Sequence, residues 1–289
     1  MSNINIIESA FQKSLLSKQP FEHKERLYPT SSSVYVDYGK YKKLQGKCTR
    51  ASYYSALGLQ EESNLSIEKQ IDRKLQQSEG DYAERMILDI LDKQGILVHR
   101  ALKFELIKYK IYGKLDAVLY DNDKLIGLEV KSVGGNNTFT INDIWGSQWN
   151  KPFPRWQNLF QTLIYCYAFR NVIDHFIIIY SRRDTGERKY FKISIEPVKG
   201  KIYPVIDDVV DYRYTIDDIL KRYNGLVKSL EDGIPPSTEF MKIYPSEDID
   251  KYVSLGIISK KQGEKYKDEP FGDYECRFCG FRKKCDEDK

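Results

Sequence analysis

The feature that most constrains this chain is a set of charges built into two β-rich runs, residues 110–120 and 125–132, separated by Asp121-Asn122-Asp123-Lys124. That separator has the polar composition of a hairpin turn, so the runs are expected to pair as adjacent strands. Asp116 stands inside the first run, in Gly113-Lys114-Leu115-Asp116-Ala117-Val118-Leu119-Tyr120, where an unpaired buried carboxylate would be costly. In Leu128-Glu129-Val130-Lys131, Glu129 and Lys131 share one face of the second strand, because side chains two apart in a strand point the same way. Folding at 121–124 sets Asp116 beside Glu129, and two carboxylates about 5 Å apart repel unless a cation lies between them. A hard divalent cation, Mg²⁺ or Mn²⁺, fits: Asp116, Glu129 and the Val130 carbonyl would supply oxygens and leave room for water. Lys131 would then orient the attacking water or neutralise charge developing on a phosphate. The alternative is a solvated strand face, since acid-x-Lys alone is common.

The surrounding pattern alternates helix and strand. Residues 5–18 read as an amphipathic helix, and a polar, turn-rich stretch at 30–33 separates it from the segment carrying Cys48. Met86, Ile87, Ile90 and Leu91 recur at helical spacing within residues 80–95, with Gly95 where a terminating glycine belongs. Residues 155–169 carry Leu159, Leu163 and Tyr167 at helical intervals; residues 175–180 form an apolar run of buried-strand type. A strand is expected at 190–195, and a helix at 216–230 that ends before Gly233 and Pro235-Pro236. This predicts an α/β chain with an N-terminal arm (1–77), a core (78–200) and a C-terminal region (201–289), packed as one compact domain. With 289 residues and 41% hydrophobic content, the core needs no disulfide support. The net charge of +4, from 46 basic and 42 acidic residues, neither requires nor excludes a nucleic-acid partner. The opening residues lack the apolar run of a signal peptide, and no segment approaches the ~18 apolar residues of a membrane span, so a soluble cytoplasmic protein is expected. No Walker-type phosphate loop is present, which makes any ATP-driven motor a separate protein.

Five cysteines in a reducing compartment are a poor disulfide set. Three lie close together as Cys276-x2-Cys279-x5-Cys285, and Cys48 is the best fourth ligand, because Cys166 sits on the expected core helix as a buried apolar residue. Four thiolates suit either Zn²⁺ or an iron-sulfur cluster, and spacing does not choose between them.

Two further elements flank the hairpin. Gly80-Asp81-Tyr82-Ala83-Glu84 places Glu84 on the helix before it, and Gln161-Thr162-Leu163-Ile164-Tyr165 places Gln161 and Tyr165 on one helical face. The order Gly-x3-Glu, Gly-x2-Asp, Glu-x-Lys, Gln-x3-Tyr resembles the RecB-like branch of the PD-(D/E)xK nucleases. Glu84, Asp116, Glu129, Lys131, Gln161 and Tyr165 match it in turn; Glu84 stands where many members carry His, and Leu115 where the superfamily name has Pro. An early Cys followed by a late C-x2-C-x5-C around such a core is similar to the CRISPR-associated RecB-like exonucleases (the fourth Cas family) and AddB-type nuclease domains. The resemblance covers residues 48–285. It implies a restriction-endonuclease-like core, a mixed central sheet flanked by helices, with Glu84 as a further metal ligand. It also implies a [4Fe–4S] cluster on Cys48, Cys276, Cys279 and Cys285 joining the chain ends, and a DNA exonuclease acting on single-stranded ends. Residues 1–40 and 242–270 are additional to a compact member.

Trp145, Trp149 and Trp156 fall together between Lys131 and Gln161, with Lys151 and Arg155 among them. Aromatic faces interleaved with cations hold single strands, while the same rings could instead cap the core; both readings stay open. The competing function class is a catalytically weak nucleic-acid-binding or assembly module partnering a CRISPR integrase or a recombination helicase. A sequence-specific restriction-type endonuclease shares the hairpin but leaves the cysteines unexplained.

Overall fold

The computed structural model describes residues 25–61, 66–134, 138–148, 150–266 and 268–288, so the helix expected at 5–18 and the side chain of Trp149 lie outside the described residues. The central hairpin forms as its composition requires. Strands β4 (Ile111–Asp121) and β5 (Lys124–Val133) pair antiparallel around a two-residue turn. Its residues Asn122 and Asp123 both have positive φ, 49° and 60°, the left-handed pair that matches strand twist in a tight hairpin. Ahead of β4 come β1 (Ser33–Asp37), β2 (Lys42–Gly46), α1 (Thr49–Ala56), α2 (Ile67–Lys93) and β3 (Leu97–Leu106). After β5 follow α3 (Thr138–Trp145), α4 (Trp156–Ala168), β6 (His175–Arg182), β7 (Arg188–Val198), β8 (Lys201–Ile206), β9 (Val209–Val210) and α5 (Ile216–Asp232). Short helices α6 (Ile249–Ser254), α7 (Lys260–Tyr266), α8 (Tyr274–Arg277) and α9 (Arg282–Glu287) complete the chain.

Strands β3 to β9 make one seven-stranded sheet in sequence order, antiparallel throughout except for the parallel β5–β6 pair. Parallel neighbours cannot be joined by a tight turn, and the segment carrying α3 and α4 provides the crossover. The fold is thus a mixed α/β sheet flanked by helices. Alternation along the strands sorts residues between its faces. Phe176, Ile178 and Tyr180 of β6 join the large core with α4 and α5, whereas Ile179 packs with Ile87 and Leu88 of α2 on the other side. No helix among the described residues is long and apolar enough to cross a membrane.

Three local expectations are corrected. The helix read at 80–95 begins at Ile67, where Ser66 caps it by accepting the Lys69 N–H; Gly80 lies inside it because a Cβ there would meet Ser132 Oγ of β5 at 3.1 Å. The stretch at 30–33 is more than a polar turn: Ser31, Ser32 and Ser33 are buried and lead into the β1–β2 ribbon. Residues 25–61, assigned by sequence to an arm, contribute Leu27, Val34, Val36, Tyr53 and Tyr54 to the same core as Leu226 of α5 and Phe281. Residues 242–270 form a small satellite core around Tyr244, Ile249 and Ile258.

Gly127 shows how closely the parallel pair approaches: a Cβ there would lie 2.2 Å from the Phe176 ring. Gly127→Ala is therefore expected to destabilise the protein by roughly 1–3 kcal/mol through overpacking, with partial recovery in Gly127→Ala/Phe176→Leu. Urea unfolding of the three proteins checks this; full stability in Gly127→Ala would show that the ring moves aside freely.

Candidate active site and cysteine cavity

The β4–β5 ladder runs from Asp121/Lys124 to Ala117/Leu128, and the next residues along, Asp116 and Glu129, lie just past its end, close enough for the Asp116 charge to act on Glu129. Instead of continuing the ladder, the Val130 N–H donates to Asp116 Oδ2 at 2.8 Å. On its other edge Asp116 is also skipped: β3 pairs Leu102 with Leu115 and Arg100 with Ala117, while the intervening Ala101 has φ +55°. A strand irregularity on each side thus frees Asp116 to turn towards β5.

Glu129 and Lys131 point to the α4 face of β5, as the two-residue period requires, and Lys131 Nζ ion-pairs with Glu129 Oε1. Glu129 is 0% exposed, and its other oxygen, Oε2, is buried without a hydrogen-bond partner. Glu84, from the helix α2, lies near enough for its charge to act on both Glu129 and Lys131. Tyr165 of α4 donates its hydroxyl to the Lys114 carbonyl at 3.1 Å and accepts from Gln161 Nε2 at 2.7 Å, pinning α4 to β4 beside Asp116. The structure therefore gathers Glu84, Asp116, Glu129, Lys131, Gln161, Tyr165 and the buried Val130 in one neighbourhood.

Their protonation follows from burial. Desolvation pushes the Glu129 carboxyl up to about 8 against the pull of Lys131, with Asp116 and Glu84 adding to the rise. Burial also raises Asp116, opposed by Lys131, the Val130 N–H and Lys114, and raises Glu84, reinforced by Asp116. Burial works against the Lys131 ammonium, yet Glu129 and Asp116 hold it above the ordinary lysine range. Sequence reasoning missed two contributors. Lys114 could have been found, since it lies in the same run as Asp116 and its charge acts on Asp116 and Glu84. Tyr180 had no local signal: it faces Lys131 in register on β6, and its hydroxyl accepts from the Arg155 N–H and Asn158 Nδ2.

The aromatic stretch divides. Trp156 packs against Phe153, Phe160 and Tyr214 and lies under the Arg213 guanidinium, so its ring serves the core. Trp145 also packs on that core, with its Nε1 buried and unpartnered, while Lys151 and Arg155 are exposed.

The four cysteines expected to act together line one cavity, although 228 or more residues separate Cys48 from the other three. Cys48 is the N-cap of α1, and the Arg50 and Ala51 N–H groups favour its thiolate while burial opposes it. The Phe281 N–H does the same for Cys279, and Cys276 is pushed up to about 12 by burial and by Cys48, Asp273, Cys279 and Cys285. Cys166 lies apart, fully buried, its thiol directed at the Ile193 carbonyl. Two residues of the cavity wall also hold the C-terminal segment: Tyr54 donates to Asp288 Oδ2 at 2.9 Å, and Arg50 bonds both Tyr54 and the Asp288 carbonyl. Among the described residues, no three His, Cys, Asp or Glu side chains are arranged as they stand to hold a metal ion.

No protein-family model and no curated protein matches this chain. Among solved structures, the crystal structure of SSO0001 is similar at 14% identity and a TM-score of 0.39, over 90% of this chain and 97% of that one. Likeness of that degree speaks to neither activity nor ligand.

A carboxyl whose folded-state value lies above its unfolded one keeps a proton that the unfolded chain releases, so the stability it contributes is lost as pH rises through that window. In chelator-treated buffer the unfolding temperature should fall between about pH 5 and about pH 8, and fall less in Glu129→Gln, which has no proton to lose. Circular dichroism melts across that range check it; equal falls in both proteins would remove Glu129 as the source.

Proposed function

We propose that this protein is a metal-dependent DNA nuclease of the RecB-like PD-(D/E)xK kind, hydrolysing phosphodiester bonds at single-stranded ends. The observation that supports it most is the buried, unpartnered Glu129 oxygen beside Asp116 where β4 and β5 stop pairing. A carboxyl retained only for packing would be satisfied by hydrogen bonds, whereas an orphaned carboxyl oxygen close to a second acid fits a cation-binding role in which the cation displaces the proton. Asp116, Glu129, Glu84 and the Val130 carbonyl would hold Mg²⁺ or Mn²⁺, which when bound polarises a phosphoryl oxygen and acidifies water. Lys131 is the cation available to a phosphate oxygen, because its ammonium already lies within the acidic group. Gln161 and Tyr165 position β4 through the Lys114 carbonyl and so hold Asp116 in place. Strand preference and end-directed action rest on the motif resemblance.

The cysteine cavity supports a [4Fe–4S] cluster on Cys48, Cys276, Cys279 and Cys285, with Zn²⁺ as the alternative. Backbone N–H groups aimed at Cys48 and Cys279 favour thiolates, the form both groups require. Its role is structural: ligands from both ends of the chain close a long loop. A second reading has one observation in its favour. Lys131 rests on Glu129, and if that pair is permanent the chain is a catalytically weak DNA-binding or assembly module for a CRISPR integrase or recombination helicase.

Cleavage of end-labelled single strands in Mg²⁺ or Mn²⁺ separates the two readings. Asp116→Ala, Glu129→Ala and Lys131→Ala should each reduce the rate at least about a hundredfold while binding survives. An Asp116→Ala protein that cuts as fast as the parent means the site is misplaced. Anaerobically purified protein should contain iron and acid-labile sulfide, both lowered in Cys48→Ala but retained in Cys166→Ala. Zinc without sulfide assigns the cavity to Zn²⁺.

A further inference from the structure

We propose that a cleft of about 570 Å³ between the β1–β2 ribbon, α5 and residues 236–239 binds single-stranded nucleic acid on its way to the acidic site. The proposal deepens the nuclease reading and rests on it for the nature of the ligand. Neither Trp145 nor Trp156 lines this cleft, and among the described residues neither does any of those gathered around Glu129.

Its walls carry the two features that single-strand binding needs, cations for the backbone and open ring faces for bases. Lys42, Arg213, Lys221 and Arg222 line it against three acids, Asp37, Asp218 and Glu239; Arg213 is held by Asp211 outside the cleft, Lys42 lies 3.9 Å from Asp37 and Arg222 pairs with Glu239, which makes Lys221 the cleft cation outside these pairs among the described residues. Those acids are already engaged. Asp37 accepts from the Gly39 N–H at 2.7 Å, Asp218 closes the α5 capping box with Thr215, and Glu239 accepts from Thr49 Oγ1 at 2.7 Å and pairs with Arg222. Arg222 still has Nε buried with no hydrogen-bond partner, a donor left without an acceptor on the cleft wall. Tyr212 is 65% exposed with its ring edge-on to Tyr203, and Tyr35 is 48% exposed with the Arg222 guanidinium 5.9 Å from its ring centroid, so both rings are more open to a base than that of Trp156.

Contacts lead from this cleft to the acidic group. Arg213 lies 5.1 Å from the Trp156 ring centroid and 5.4 Å from that of Phe153. The adjacent Arg155 N–H holds the Tyr180 hydroxyl, and Tyr180 is the register partner of Lys131. An acidic polypeptide would also satisfy the cations, but it has no use for the exposed tyrosines, which favour nucleic acid.

The test uses the full chain in chelator, so that nothing is cut, and a fluorescein-labelled oligothymidylate of about 16 nucleotides, followed by anisotropy. Lys221→Ala should reduce the slope of log affinity against log salt by about 0.7, the contribution of one single-strand phosphate contact. Tyr212→Ala should weaken binding about fivefold or more, and Tyr212→Phe should restore it, because stacking needs the ring and not the hydroxyl. Parent protein that does not bind the oligonucleotide, or variants that bind with the parent's affinity and salt slope, overturn the proposal. So does poly-glutamate competing as well as unlabelled oligonucleotide, which would give the cleft to acidic polypeptides. The two readings fail separately. A parent that binds through Lys221 and Tyr212 but never cuts in Mg²⁺ or Mn²⁺ sinks the nuclease reading alone; a parent that cuts while the cleft variants bind unchanged sinks the cleft alone.

Discussion

Glu129 is held out of water in the middle of a sheet, and an uncompensated charge there would cost several kcal/mol. Much of the local architecture answers that cost. The Lys131 ammonium is brought onto one oxygen by the two-residue period of β5, and the Val130 amide between them is turned to Asp116 rather than to a strand partner. That diversion is possible only because β4 loses its regular pairing at Asp116 on both edges. Tyr165 then fixes β4 through the Lys114 carbonyl, which keeps the irregular stretch from relaxing into a longer ladder. The arrangement leaves one buried carboxyl oxygen, Glu129 Oε2, without a hydrogen-bond partner, and burial holds a proton on that group up to about pH 8.

The same economy governs how the chain ends are used. Tyr223 of α5 donates its buried hydroxyl to the carbonyls of Tyr28 and Pro29, and the Leu27 backbone bridges to Lys110 and Tyr112 at the start of β4. At the opposite end, Asp288 is held by Tyr54 and Arg50 of α1. Arg50 and Tyr54, which hold Asp288, also line the cysteine cavity, so the C-terminal segment is fastened beside it. The thiols, crowded and desolvated, raise one another's proton affinity, and a bound cation reverses that penalty. Any metal taken up there would have to displace those protons.

What could be read from the sequence tracks how local its physics is. The β4–β5 hairpin, the helices at Trp156–Ala168 and Ile216–Asp232 and the strand at His175–Arg182 declare themselves through short-range periodicity and turn residues, and they emerge close to their expected bounds. Asp116, Glu129 and Lys131 were legible for the same reason, since a strand period and one turn bring them together. The helix Thr49–Ala56 was not: Thr-Arg-Ala-Ser-Tyr-Tyr-Ser-Ala is polar in composition, and tertiary packing alone buries it. β3 was a signal overlooked, because Leu102, Phe104 and Leu106 alternate with polar residues in a half-buried pattern. The two readings of the tryptophan stretch divide on tertiary packing, which local sequence does not show. Trp156 packs with Phe160 of its own helix against Tyr214, whereas the exposed Tyr35 and Tyr212 lie about 180 residues apart and line one cleft only in the folded chain.

The cleft and the cysteine cavity are built on a shared wall. Glu239 lines both; it accepts from Thr49, the first helical residue of α1, while Cys48 caps the same helix from the preceding position. Glu239 also pairs with Arg222, the cleft residue with the orphaned donor, and its negative charge adds to the rise in the Cys48 thiol. One carboxylate therefore balances a guanidinium on one side and opposes a thiolate on the other. Seating Cys48 as a ligand places negative charge nearer to Glu239, and the physical answer available to Glu239 is a tighter hold on Arg222 and Thr49. Glu239 therefore ties the electrostatics of the cleft to those of the cysteine cavity, on a wall that none of the acids around Glu129 shares.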